Sequence, residues 1–416
     1  VDPRMILEKG RLQPGKMFVV DMEQGRIISD EELKRTICGQ KPYGEWLNKY
    51  KIRLNELPEP RVMFTNLEHE QVAKYQKAFG YTTEDLETII SPMAIDGKEP
   101  IAKLSSNEGA LGPSPKAMAA YAKAAAELHR YPDGASEKLR KAIGRHYGLD
   151  PDRIICGAGS DEILNLLVRS YCGPGDELLY SQYGFLMYPI NALGVGATPV
   201  AAPENNYRTD IDAMIAKITD KTRVVCLANP NNPTGSYLTK EEVQKLHAGL
   251  PKNVLLVIDA AYAEYVSRND YESGVELVDQ FENVVMTRTF SKIYGMGGLR
   301  LGWMYGPAGI VDVISRLRQP FNVNLAAQIA GIAALEDIAH TDASRTNNDI
   351  WLPWLAAELA KLGLKPLPSV GNFVSVGFGS KERAAAANDW LMKDGLIPRM
   401  IAGYGMPEFL RITVGT

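Results

Sequence analysis

From residue 103 to its end the chain alternates short apolar runs with segments of helical period, and this alternation is the tightest constraint on its fold. Apolar runs at 153–156, 177–180, 198–200, 223–228, 254–259, 283–288 and 302–305 read as strands, while helices are predicted over 117–128, 136–147, 161–171 and 240–248. Parallel neighbours need a crossover between them, usually a helix, so the pattern predicts an α/β fold with a largely parallel central sheet. After Pro307 the sequence turns helix-rich, over 309–318, 324–337 and beyond. A short alternating set follows, with strands at 373–376 and 410–414, and reads as a second, smaller α+β domain. We expect a larger domain over 102–325 and a smaller, incomplete one over 326–416. Residues 1–101 differ: they are rich in charge, with helical patterns at 30–36 and 68–79 and an apolar run at 17–20. Thr82-Thr83-Glu84-Asp85-Leu86 has the form of a helix start, a Thr cap followed by acids. This stretch holds neither a nucleophile beside a base nor a phosphate loop.

At 416 residues, two or three domains are expected. A net charge of −4 with 23% charged residues gives no basic field for nucleic acid, which favours a small-molecule partner. The four cysteines, Cys38, Cys156, Cys172 and Cys226, lie far apart without a CxxC, and there are five histidines. Neither a metal site nor a disulfide framework is expected, and a reducing cytoplasm suits such a chain. No apolar stretch reaches the roughly 18 residues of a membrane span.

The strongest chemical signal is Thr289-Phe290-Ser291-Lys292-Ile293-Tyr294-Gly295-Met296-Gly297-Gly298-Leu299-Arg300. A lysine directly after a strand, among small and hydroxyl residues and eight positions before an arginine, is a pattern that anchors pyridoxal phosphate. Lys292 would bind the cofactor covalently and, once released, carry the proton between substrate and cofactor. Thr289, Ser291 and Arg300 would hold its phosphate, which needs fixed donors and a permanent positive charge. Asp259 closes the very apolar run Val257-Ile258-Asp259, where an acid is rarely left unpaired. It suits a protonated pyridine nitrogen. Tyr262, three residues on, and Asn232, in the turn Asn229-Pro230-Asn231-Asn232-Pro233-Thr234-Gly235, are placed to reach the ring oxygen. Gly157-Ala158-Gly159-Ser160-Asp161 follows a strand and opens a helix, the form of a phosphate site, to which Gly159, Ser160 and Asp161 would contribute. Phe185 either stacks on the cofactor ring or is a core aromatic.

The segments at 104–115 (LSSNEGALGPSP), 130–134 (RYPDG), 157–162 (GAGSDE), 228–235 (ANPNNPTG), 259–265 (DAAYAEY), 287–303 (TRTFSKIYGMGGLRLGW) and 410–416 (LRITVGT) resemble the histidinol-phosphate aminotransferases. That resemblance implies a fold-type-I enzyme of histidine biosynthesis that passes an amino group from glutamate to imidazole-acetol phosphate. It implies a homodimer in which Tyr131 reaches the cofactor phosphate of the neighbouring subunit. It also implies that Arg411 binds the substrate's anionic end, with Arg399 as a second anion contact and Asn107 on the substrate side. A guanidinium is chemically suited to both anions. The same fold could instead serve aromatic amino acids or decarboxylate threonine phosphate, or the chain could be a catalytically impaired fusion.

Two departures from that family stand out. Its members carry an extended Pro-Tyr arm about twenty residues before the 104–115 segment, where this chain has Ile90-Ser91-Pro92-Met93-Ala94, and a closing helix beyond the final Val-Gly-Thr, where this sequence stops. Impaired substrate closure and a weakened small domain are the expected consequences. Residues 10–34, 41–47 and 79–101 resemble instead the large subunit of glutamate synthase, in the stretch joining its glutaminase domain to its central region. The resemblance switches near residues 99–103, so the chain reads as a join of two unrelated genes.

Overall fold

The computed structural model describes residues 16–50 and 101–415. The expected helices at 68–79 and 82–86, and the stretch 90–94, lie outside them. The chain divides into two compact units, Val1–Tyr75 and Gln76–Thr416. In the first, the apolar run at 17–20 leads into a small antiparallel hairpin, Val19–Asp21 with Arg26–Ile28. Ser29 then caps the helix Asp30–Gly39 by accepting from the Glu32 N–H at 3.2 Å, with three acids in its first turn. A second helix spans Tyr43–Tyr50. Phe18, Met22 and Trp46 are exposed.

The second unit is built on a seven-stranded sheet: β1 (Ile154–Gly157), β2 (Glu177–Ser181), β3 (Thr198–Ala202), β4 (Thr222–Ala228), β5 (Leu255–Asp259), β6 (Val284–Thr289) and β7 (Gly302–Tyr305). Their spatial order is β1-β7-β6-β5-β4-β2-β3. The run β6-β5-β4-β2-β3 is parallel, and β7 alone lies antiparallel, to both β6 and β1. Apart from its edge strand β3, the sheet is largely buried on both faces. Leu256 and Ile258 of β5 join one core cluster, and Leu255 and Val257 join the other. Two apolar faces explain why this strand is a continuous apolar run with no polar alternation. Every expected strand of the sheet forms within two residues of its predicted ends.

The smaller sheet orders Lys365–Pro366, Phe373–Gly377, Phe409–Thr413 and Arg399–Met400, all antiparallel. Ala102–Lys103 pairs in parallel with Leu396–Ile397, which ties the start of this unit to its end. The expected division at 325/326 falls at the start of the helix Leu325–Leu335. The buried Ala327, Ala330 and Ala334 of that helix lie in the same core as the large sheet. Helix Ile338–Lys361 follows, with Pro353 inside it.

Candidate active site

The C-terminal ends of β4, β5 and β6 and the loop after β1 converge, as is usual for ligand sites in open α/β sheets. A cavity of about 130 Å³ opens there. Ser160, Asp161, Phe185, Asn232, Asp259, Tyr262, Thr289, Ser291, Lys292 and Arg300 all line it.

Asp259 is the last residue of β5 and is buried. Its carboxylate accepts from Tyr188 Oη at 3.0 Å and from Thr287 Oγ1 at 3.3 Å. Burial pushes its pKa up to about 6, only partly offset by these two hydroxyl donors. Lys292 follows β6, and its Nζ donates to the Ser106 carbonyl at 3.0 Å. Enclosure, and then the nearby charge of Arg411, pull its pKa down to about 8. It is therefore an amine that can gain or lose a proton near neutrality. Tyr262 Oη accepts from Asn107 Nδ2 at 2.9 Å, and burial raises its pKa to about 12, so the hydroxyl keeps its proton. Asn107 sits at φ 54°, a left-handed conformation that asparagine tolerates better than most residues. Its own N–H donates to Thr413 Oγ1 at 3.0 Å.

The strand–loop–helix at 154–171 forms as expected, with Gly159 at φ +82° as the N-cap of helix Ser160–Tyr171. Ala158 N–H is taken by Glu162 and Gly159 N–H by the Gly157 carbonyl. The donors that the helix start still presents are those of Ser160, Asp161 and Glu162. Arg300 Nη2 pairs with Asp161 at 3.0 Å, beside Gly159, where an added Cβ would lie 2.6 Å from it. Thr289 Oγ1 donates to Ser291 Oγ at 3.0 Å.

Arg411 lies in strand Phe409–Thr413 and is 5% exposed. One Nη donates to Asn232 Oδ1 at 2.6 Å and the other to the Ser105 carbonyl, while its buried Nε has no hydrogen-bond partner among the described residues. Arg399 is its register partner on the adjacent strand. Burial, and then the charge of Arg411, lower the Arg399 pKa to about 10. Two guanidiniums at one place favour an anion. Tyr131 stands apart: it is 82% exposed and stacks on Phe321 with centroids 4.7 Å apart.

Sequence reasoning passed over Tyr188, Thr287 and the carbonyls of Ser105 and Ser106. Thr287 lies in the 287–303 segment and Tyr188 three residues after Phe185, but nothing in their spacing distinguishes a donor to Asp259 from a core residue. The Ser105 and Ser106 carbonyls are backbone groups, which carry no residue signature.

These residues fit pyridoxal phosphate. A buried acid whose partners are two hydroxyls and a backbone N–H, with no cation paired to it among the described residues, suits a protonated pyridine nitrogen. An enclosed lysine of depressed pKa, and a helix N-terminus beside an arginine, complete the requirements for the carbonyl and the phosphate. Fold and site together define a pyridoxal-phosphate-dependent aminotransferase, and residues 99–416 match the family of class I and II aminotransferases. The chain is 56% identical over 325 residues to histidinol-phosphate aminotransferase of Paramagnetospirillum magneticum, covering 78% of this chain and 90% of that one. With the enzyme of Rhodospirillum centenum the identity is 55% over 314 residues, covering 75% and 87%. The crystal structure of histidinol-phosphate aminotransferase from Sinorhizobium meliloti in complex with pyridoxal-5'-phosphate superposes with a TM-score of 0.74 at 30% identity, over 80% of this chain and 93% of that one. The chain belongs to the histidinol-phosphate aminotransferases. Residues 1–46 match a different family, the class-II glutamine amidotransferases, so the chain carries two unrelated segments whose matched ranges do not overlap. Among the described residues no helix is long and apolar enough to cross a membrane, and no cluster of ligating side chains could hold a metal.

Proposed function

We propose that this chain transfers the amino group of L-glutamate to imidazole-acetol phosphate, giving histidinol phosphate and 2-oxoglutarate. The observation that carries the reading is the in-register pair Arg411 and Arg399, with Arg411 bonded to Asn232 in the lining of the Lys292 cavity, a place for an anionic substrate end near a proton-carrying amine. Bound pyridoxal phosphate supplies the electron sink that lets a proton leave the substrate α-carbon. Lys292 Nζ holds the cofactor and then takes that proton and returns it. Asp259 holds the pyridine nitrogen's proton, and Tyr188 and Thr287 orient its carboxylate. Tyr262, itself held by Asn107, and Asn232 donate toward the ring oxygen. Ser160, Asp161, Thr289, Ser291 and Arg300 bind the phosphate, with the turn at Gly159 bringing backbone donors close. Phe185 covers the ring. Arg411 receives the glutamate carboxylate and Arg399 the phosphate of the acceptor.

The same reading makes the working form a homodimer. Tyr131, solvent-exposed on its own chain, would then reach the phosphate site of the partner. A cytoplasmic setting suits the four free cysteines. The deciding experiment compares kcat/KM for imidazole-acetol phosphate, phenylpyruvate and threonine phosphate. The phosphorylated imidazole substrate should be preferred by at least tenfold; preference for either of the others would overturn the assignment.

A further inference from the structure

On β6 the side chains alternate between the two faces of the sheet. Thr287 and Thr289 turn toward the cofactor site, and Arg288, between them, turns to the opposite face and is 8% exposed. There its Nη1 pairs with Glu264 Oε1 at 3.2 Å, and its guanidinium lies over the Tyr147 ring, 4.6 Å from the centroid. Tyr147, the last residue of helix Glu137–Tyr147, donates its hydroxyl to Glu264 Oε1 at 2.9 Å. The Tyr294 hydroxyl lies 2.7 Å from that of Tyr147 and, with Tyr147 already donating to Glu264, is the donor of this bond. Burial lifts both phenols well above their usual pKa, so each keeps its proton. The Glu264 carbonyl accepts from Arg345 Nε of helix Ile338–Lys361 at 2.8 Å.

This buried cluster sits behind two residues of the site. Glu264 comes two positions after Tyr262, and Tyr294 two positions after Lys292. At the front, Lys292 Nζ lies over the Tyr262 ring, 5.5 Å from its centroid. The bonds from Glu264 through Tyr147 to Tyr294 thus join the backs of two turns whose fronts face each other. Stability alone is a poor account of the cluster. Glu264 Oε2 and Arg288 Nε are buried without a hydrogen-bond partner among the described residues. A buried ion pair is often no more stabilising than well-packed apolar side chains of similar volume. Hydrogen bonds, being directional, fix distances and angles that apolar contacts leave loose.

We propose that Glu264, Arg288 and Tyr147 are positioning residues for the transamination, holding the Tyr262 hydroxyl in register with Lys292 from behind the sheet. This rests on the roles given above to Lys292 and Tyr262. A hydroxyl donating to the cofactor's ring oxygen favours the form in which that oxygen keeps its negative charge and the lysine nitrogen has lost its proton. A displaced Tyr262 therefore raises the pH at which the lysine–cofactor link gives up its proton. It also slows turnover, while Arg411 still receives glutamate.

The test uses the cofactor-loaded full chain and reads the pH midpoint of its visible absorbance, together with kcat and the glutamate KM. Tyr147→Phe removes one oxygen, and with it both phenol links, and leaves the ion pair. Glu264→Leu combined with Arg288→Met replaces the ion pair by apolar side chains, so that neither charge is left buried alone. In each variant the midpoint should rise by about 0.5 or more and kcat should fall about fivefold or more, with KM changed by less than about twofold. An unmoved midpoint in either folded variant overturns the proposal, whatever happens to Tm, because a merely structural cluster would lower Tm alone. Should the double variant not fold, Tyr147→Phe decides. Borohydride labelling of the wild-type chain separates the two ways of failing. A label away from Lys292 refutes the assigned lysine, whereas a label on Lys292 with unmoved variants refutes the positioning alone.

Discussion

Asp259 is a buried acid with no cation paired to it among the described residues, and this has a measurable cost. The folded pKa, about 6, lies above the ordinary aspartate value of 3.8, so the folded state favours the protonated form. The stabilising proton is fully present below the unfolded pKa and is lost as pH rises through 6. Above that, the buried charge weighs against folding by about 3 kcal/mol at most. Asp259→Asn should therefore raise the Tm of the cofactor-free protein at pH 8, have little effect at pH 4, and abolish most transamination. A Tm unchanged at pH 8 would show that the carboxylate is not desolvated. Lys292→Ala should remove turnover altogether, because no other amine stands in that place; a tenth of normal turnover would refute its role. Arg411→Ala should raise the glutamate KM strongly, through the loss of a buried charge-assisted partner of roughly 2–5 kcal/mol, and leave cofactor affinity nearly unmoved. Weakened cofactor binding with an unaltered KM would reverse the assignment.

At the scale of elements, the site depends on close backbone approaches. A Cβ on Gly302, at the start of β7, would lie 2.2 Å from Ser160 N, and one on Gly109 would lie 2.7 Å from the Lys292 carbonyl. Gly302→Ala should therefore displace the helix start that receives the phosphate and weaken cofactor affinity at least tenfold, measurable by fluorescence titration. Normal affinity would mean that the helix start does not hold the phosphate. Much of this architecture was legible in the sequence. The strands β1 to β7 are short apolar runs because both sheet faces are covered, and Asp259 and Lys292 stand out because polar groups at the ends of such runs need a reason. The antiparallel direction of β7 was not legible, since an apolar run has no polarity. The helix Leu325–Leu335 belongs with the large core because small alanines let it approach closely, a packing property that its sequence position does not reveal. Asn107 acts through a left-handed backbone and a contact with Tyr262, 155 positions away, which no local pattern encodes.

For the whole molecule, residues 1–46 and residues 99–416 match two different families. Residues 101–104 belong to the enzyme, because Ile101, Ala102 and Leu104 donate to the carbonyls of Gly395 and Ile397. A chain beginning at Gly97 should thus fold and bind pyridoxal phosphate, whereas one beginning after Leu104 should lose stability. Failure of the first to fold, with the whole chain active, would make residues 1–96 an integral part of the enzyme. The central claim, a lysine-anchored transaminase, is tested most directly by borohydride reduction of the cofactor-loaded whole chain, followed by digestion and peptide mass measurement. The pyridoxyl mass should appear on the peptide containing Lys292 and on no other lysine, and prior addition of glutamate should remove it. A label on a different lysine, or one that glutamate leaves in place, would contradict the account.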